Sequence, residues 1–178
     1  MKKVYFAVCA MAVMLSGCLT LDVAVSNKFD PSRNMKKIAV FPFTMDNGTW
    51  GAEFADSVSH EFFKSGIEIV EREDLDKILR EDKLSASGVI NDTSAAAIGR
   101  KLGADAIVLG RGAAGNRLKG MDFVRSFSLR VIDVETASHL ITVRMPEGNP
   151  MTYDYVAKKM VEKVLNTFRT KGGPASGK

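Results

Sequence analysis

The sequence predicts one α/β domain: a mixed sheet of about five strands with flanking helices, in the order β-α-β-α-α-β-β-β-α. Three observations predict it. Apolar residues recur at helical spacing in four segments, and short β-rich apolar runs alternate with the first of them. The last two runs before the final helix read as a hairpin, which makes a purely parallel sheet improbable on topology alone. With 178 residues the chain is long enough for one domain with a proper core.

The elements follow in order. "KIAVFPF", ending at Phe43, is the first strand, and Pro42 cannot donate to a ladder, so it belongs at an edge or a strand end. Phe54, Val58 and Phe62 then repeat every four residues on one helical face, with Gly66 placed to close that helix. "IEIVER", Ile67 to Arg72, alternates apolar and charged residues as a strand does. Leu75, Ile78 and Leu79 share the face of a second helix, with Glu73 and Asp74 in its first turn, where the helix dipole favours acids. Asp92 or Thr93 can cap a third helix closed by Gly103, and "ADAIVLGRG" is the next strand. "RSFSLRVIDV" alternates through Phe127, Leu129 and Val131 and pairs across "ETAS" with "HLITVRM". Asn149 and Pro150 suit the start of a last helix carrying Tyr153, Val156, Met160, Val164 and Phe168 on one face.

The N-terminus has a different character. Lys2 and Lys3 precede twelve apolar residues, Val4 to Leu15, too few to cross a bilayer core, which takes about 20. "LSGC" follows, ending at Cys18. The segment reads as an export signal over residues 1–17, with Cys18 as the lipid-attachment residue of a bacterial lipobox. Leu19, where an inner-membrane retention signal would place aspartate, favours the outer membrane, with the domain facing the periplasm. Residues 18–36 read as the lipidated cysteine and an aperiodic tether, 37–170 as the domain, and 171–178 as a flexible tail. Cys9 leaves with the signal and Cys18 is spent on lipid, so the mature chain has no disulfide. Without Lys2 and Lys3 the formal charge falls from +4 to +2, too small for a nucleic-acid footprint.

Several motifs compete for a chemical role. "GRGAAG", Gly110 to Gly115, follows an apolar run and fits G-x-G-x-x-G, with Asp133 further on as an acid for a ribose. A dinucleotide site needs those glycines to open a helix whose N–H groups hold the pyrophosphate. The following residues, interrupted by Gly120, soon alternate as a strand, so the stretch reads as a glycine-eased strand end entering a hairpin. A nucleotide-binding enzyme using Gly110, Gly112 and Gly115 is therefore only an alternative. His60, expected on the exposed face of the first helix, and His139 have no partner at metal-ligand spacing. Ser57, Ser59 and Ser126 lack a nucleophile-elbow setting. No enzyme activity, cofactor or metal is expected.

Charge is segregated instead. Residues 68–82 hold seven acids against three bases. Residues 111–144 hold six bases, Arg111, Arg117, Lys119, Arg125, Arg130 and Arg144, against three acids. Such asymmetry suits head-to-tail contacts between copies, although a scattered solvated surface gives the same count. The interaction surface expected from this reading comprises Trp50, Arg111, Arg117, Lys119 and Arg125, with Trp50 either a core plug or an interface anchor.

At "KIAVFPF", "IEIVEREDLDKILRE", "SAAAIGRKLGADAIVLGRG" and "FSLRVIDVETASHLI" the chain resembles the CsgG family of curli-assembly lipoproteins, and "EFADSVSHEFFKSG" fits as well. The resemblance covers roughly residues 37–144. It implies a fold similar to the N-terminal domain of TolB, shared by LpoB and PelC, and a non-enzymatic role in secretion or envelope assembly, acting through protein contacts and as a homo-oligomeric ring. The alternative it offers is a monomeric tethered activator of a cell-wall enzyme, for which a longer linker than residues 19–36 would be expected. The curli channel inserts two long hairpins per subunit into the membrane. Here Ala113 to Val124 and Glu135 to Ser138 are too short for strands of about 9–11 residues each. The resemblance therefore implies the periplasmic domain and the lipid anchor without the pore.

Overall fold

The computed structural model describes residues 20–30, 35–46, 50–81, 91–115, 122–148 and 150–172. Eight strands form one mixed sheet: β1 (Asp22–Val25), β2 (Lys37–Val40), β3 (Thr44–Met45), β4 (Glu68–Ile69), β5 (Ala106–Ala114), β6 (Phe123–Asp133), β7 (His139–Met145) and β8 (Met151–Thr152). Four helices accompany them: α1 (Gly51–Lys64), α2 (Arg72–Glu81), α3 (Asp92–Lys101) and α4 (Tyr153–Gly172). The sheet runs β1-β7-β6-β5-β2-β4, with β3 beside β5 and β8 beside β6. β2 is parallel to both β4 and β5, while β5, β6, β7 and β1 are successively antiparallel.

The predicted α/β order holds, and the sheet gains three short strands. β2 and β3 occupy one lane beside β5, interrupted around Pro42, the place where a residue without an N–H must sit. Asp22–Val25 lies within the stretch read as a tether and pairs along β7 from Asp22↔Arg144 to Val25↔Ile141. An edge strand with one half-buried position carries no alternation signal, because only its pairing partner makes it a strand. The predicted start of the last helix also moves. Met151 and Thr152 pair with Val124 and Phe123, and the Tyr153 N–H donates to the Asp122 carbonyl at 3.2 Å, so the helix begins at Tyr153. Pro150 therefore precedes a strand, and Asn149 lies outside the described residues.

Two apolar layers flank the sheet. On one face α1 sends in Phe54, Val58 and Phe62, and α4 sends in Val156, Met160 and Val164, onto Val108, Leu129 and Val143. On the other face Leu75 and Leu79 of α2 and Ala95 and Ile98 of α3 cover Phe41, Ile107 and Ile132. Each of the larger side chains contributes about 1.5–3 kcal/mol by leaving water. Helix ends follow the local chemistry. Gly66, at φ +86°, donates to the Phe63 carbonyl beyond α1, and Gly103, at φ +63°, does the same for Arg100 beyond α3. The cap of α3 is Asn91, whose side chain accepts from the Ser94 N–H at 2.8 Å, one residue before the predicted Asp92 or Thr93.

The strand read through Gly112 continues two residues further, to Ala114. Gly110 to Ala114 are strand, in the longest ladder of the sheet, and only Gly115 meets the hairpin, its N–H donating to the Phe123 carbonyl at 2.7 Å. The glycines make room. A Cβ on Gly110 would lie 2.3 Å from Cζ of Phe127 and 2.6 Å from Cδ1 of Phe43.

Candidate interaction surfaces

Among the described residues, the helical layer of the α2–α3 face is incomplete. It covers the β2–β5 side, while beyond it β6, β7 and the far half of β5 carry polar side chains outward. Register defines this open face, because directly opposed residues share a face of the sheet. One rung crosses five strands: Thr44, Arg111, Ser128, Arg144 and Asp22. The next carries Leu109, Arg130, Thr142 and Ala24. Thr44, Leu109, Arg111, Ser128, Arg130 and Arg144 of these rungs line a trough of about 760 Å³, to which Pro42 and Met145 also contribute. Arg130 pairs with Asp92 at the start of α3, at 3.1 Å. Among the described residues, Arg111 and Arg144 form no ion pair.

A second depression of about 660 Å³ lies at the β4 edge, between α1 and α2. Phe63, 67% exposed, and the partly buried Ile69 and Ile78 supply its apolar part. Glu68, Glu71, Asp74 and Glu81 also line it, with Lys37 paired to Glu68 at 3.0 Å.

The expected surface residues have separate fates. Trp50 is half-buried before α1 and packs on the core, its ring 6.5 Å from that of Tyr153, which stacks on Phe54 at 4.7 Å. Arg111 stands on the open face. Arg125 ties the end of β5 to two loops, donating from Nε to the Ala114 carbonyl at 3.0 Å and pairing with Asp46 at 3.6 Å and Glu147 at 3.5 Å. Cys18, Arg117 and Lys119 lie outside the described residues. Arg144 was visible only as one base in a count; its alliance with Arg111 comes from the β5–β6–β7 register. The signal available in the sequence was the polar half of the alternation, Ser126, Ser128 and Arg130 on one strand and Thr142 and Arg144 on the next.

The chemical candidates separate as clearly. Gly110 and Gly112 lie inside β5, paired with Leu129 and Phe127, and not at the start of a helix whose N–H groups could hold a pyrophosphate. His60 is exposed on α1, and His139 shares a 2.8 Å hydrogen bond with the Thr142 hydroxyl. Buried Asp133 accepts from both the backbone N–H and the hydroxyl of Thr136, at 2.7 and 2.8 Å, and so fastens the β6–β7 turn.

A family model described as curli production assembly/transport component CsgG matches residues 16–115, more than half of the chain. The chain belongs to the CsgG family. No curated protein matches it by sequence. Among solved structures of similar shape, the PelC dodecamer from Paraburkholderia phytofirmans is 14% identical, with a TM-score of 0.46 over 84% of this chain and 96% of that one. Lipoprotein GNA1162 from Neisseria meningitidis is 15% identical, with a TM-score of 0.47 over 75% of this chain and 96% of that one. LpoB from E. coli is 16% identical, with a TM-score of 0.49 over 66% of this chain and 58% of that one. Membership of the CsgG family rests on the match to residues 16–115 and not on these likenesses. Among the described residues, no helix of this CsgG-family chain is long and apolar enough to cross a membrane.

Proposed function

We propose that the chain is a lipid-anchored component of an envelope assembly or export apparatus, attached through Cys18 to the outer membrane with its domain in the periplasm. It works by protein contact, including contact with further copies of itself, and performs no chemistry on a substrate. Residues 1–17 serve as the export signal, and the working domain runs from the strand at Asp22 to the end of the last helix at Gly172. Family membership supports the assembly role, because the matching family is described as an assembly and transport component. The observation that carries the contact mode is the open half of the sheet. A face bearing Arg111, Ser128 and Arg144, over which no helix lies among the described residues, is a surface for another protein more than a site for a reaction. The monomeric activator reading loses support from β1, which takes Asp22–Val25 out of the tether.

Mass spectrometry of the full chain expressed in a Gram-negative host, with membrane fractionation, tests the anchor. A diacylated or triacylated N-terminal Cys18 in the outer-membrane fraction is expected. A free Cys18 thiol on a protein released with the soluble fraction overturns it.

A further inference from the structure

The open face and α2 match in spacing, and two acids of α2 match two arginines of the face in sign, with Lys77 between those acids. Arg111 and Arg144 lie on one rung, separated by Ser128, so their strands are two inter-strand steps apart. At about 4.8 Å per step that is roughly 9.6 Å. On α2, Asp74 and Glu81 are seven residues apart and therefore on one helical face, and both are exposed. At about 1.5 Å of rise per residue they are roughly 10.5 Å apart. They are the only two acids of α2 with that spacing; the other i, i+7 pair of charged residues, Glu73 and Arg80, has opposite signs. Asp74 and Glu81 also border the depression that exposes Phe63, so an apolar contact is available beside the charged ones. Laid across the strands, a helix about 10 Å across covers about three residues along each of them.

We propose that the open face takes α2 of a second copy, laid across β5, β6 and β7 so that Asp74 and Glu81 sit over Arg111 and Arg144. The incoming helix completes the layer that the chain's own α2 and α3 leave half-built. Donor and acceptor surfaces differ, so the contact is heterologous, and it closes into a ring when the rotation between neighbours permits. The inference rests on the self-association part of the proposed function and names its two surfaces.

The full chain in detergent, measured by light scattering or sedimentation, provides the test. Wild type is expected above monomer mass. The pairs Arg111→Glu with Arg144→Glu, and Asp74→Lys with Glu81→Lys, are each expected to fall to monomer. Mixing the two double variants, or combining all four changes in one chain, is expected to restore assembly, which only folded chains can do. The milder Arg111→Gln with Arg144→Gln should weaken association at least tenfold with an unchanged circular dichroism spectrum. Wild-type mass in both charge-reversed variants overturns this interface while leaving self-association intact. A wild-type monomer at high concentration overturns self-association itself, and the acylation test of Cys18 is unaffected by either result.

Discussion

The ring of Phe127 on β6 fills the space in which a side chain on Gly110 would begin, with the two positions 2.3 Å apart. Phe43 closes the same space from the other side and meets Phe127 at 4.9 Å between ring centres. Gly112 lies under the same ring, where a Cβ would come 2.6 Å from Cδ2 of Phe127 and 2.3 Å from the Ser126 carbonyl oxygen. Gly110→Val should therefore force an aromatic cluster apart, costing about 1–3 kcal/mol or more by overpacking. Urea unfolding followed by circular dichroism checks it, and an unchanged midpoint would remove the packing explanation for these glycines.

Gly51 offers a sharper contrast. A Cβ there would lie 1.8 Å from the Phe43 carbonyl oxygen, while one on Gly148 would meet only the Pro146 oxygen at 4.0 Å. Gly51→Ala should lower stability by several kcal/mol, toward the extreme seen for single substitutions, and Gly148→Ala should stay within about 0.5 kcal/mol of wild type. Thermal melting of the two variants side by side decides it.

Asp133 is 3% exposed and holds the β6–β7 turn through Thr136. Asp133→Ala should cost about 1–3 kcal/mol, since it strands the Thr136 N–H and removes a charge-assisted acceptor. Asp133→Asn keeps an acceptor oxygen and should cost less. Denaturant midpoints for the pair would show the order, and equal losses would contradict the turn-fastening role.

The Asp46–Arg125–Glu147 group is exposed, with about half of the arginine side chain in water. Arg125→Ala should lower stability by less than about 1 kcal/mol. It should also leave the assembled mass of the full chain unaltered, because Arg125 is engaged by its own loops rather than presented on the open rung. Loss of assembly on this change would move the contact surface toward the hairpin tip.

Trp50 and the pair Phe29–Phe168 test the packing at the sheet's margins. The chain has one tryptophan, so its emission should shift to the red in the same transition that abolishes the circular dichroism signal, as expected of a two-state domain with Trp50 on its core. Phe29 follows β1 and meets Phe168 near the end of α4 at 4.7 Å. Phe29→Ala should speed hydrogen exchange in the last turns of α4 without altering α1. Uniform acceleration throughout the domain would refute this local pinning.

What could be read in advance divides along physical lines. Helices with strong 3.6-residue periodicity, such as the Phe54–Val58–Phe62 face, and long alternating strands such as β6 announce themselves, because burial on one face writes a pattern into the residues. β1, β3 and β8 do not. They are two to four residues long, and each is a strand only because a neighbour offers its backbone. The stretch from Gly110 to Gly115 misleads for a related reason. Glycine in a strand is disfavoured locally and is required here by Phe43 and Phe127, which are distant in sequence. The candidate surface was half legible. Segregated charge showed in a count of residues, but the rung joining Arg111 to Arg144 exists only once three strands are in register.

The pairing of Asp22 with Arg144 has a mechanical meaning. With a lipid at Cys18, four residue steps separate the bilayer from the first paired residue, and fully extended chain covers about 3.3–3.6 Å per step. The leash is then roughly 14 Å, far less than a flexible arm that could sweep the periplasm. A domain so anchored would patrol almost no volume, so it would meet neighbours that share its membrane and leave distant partners to find it.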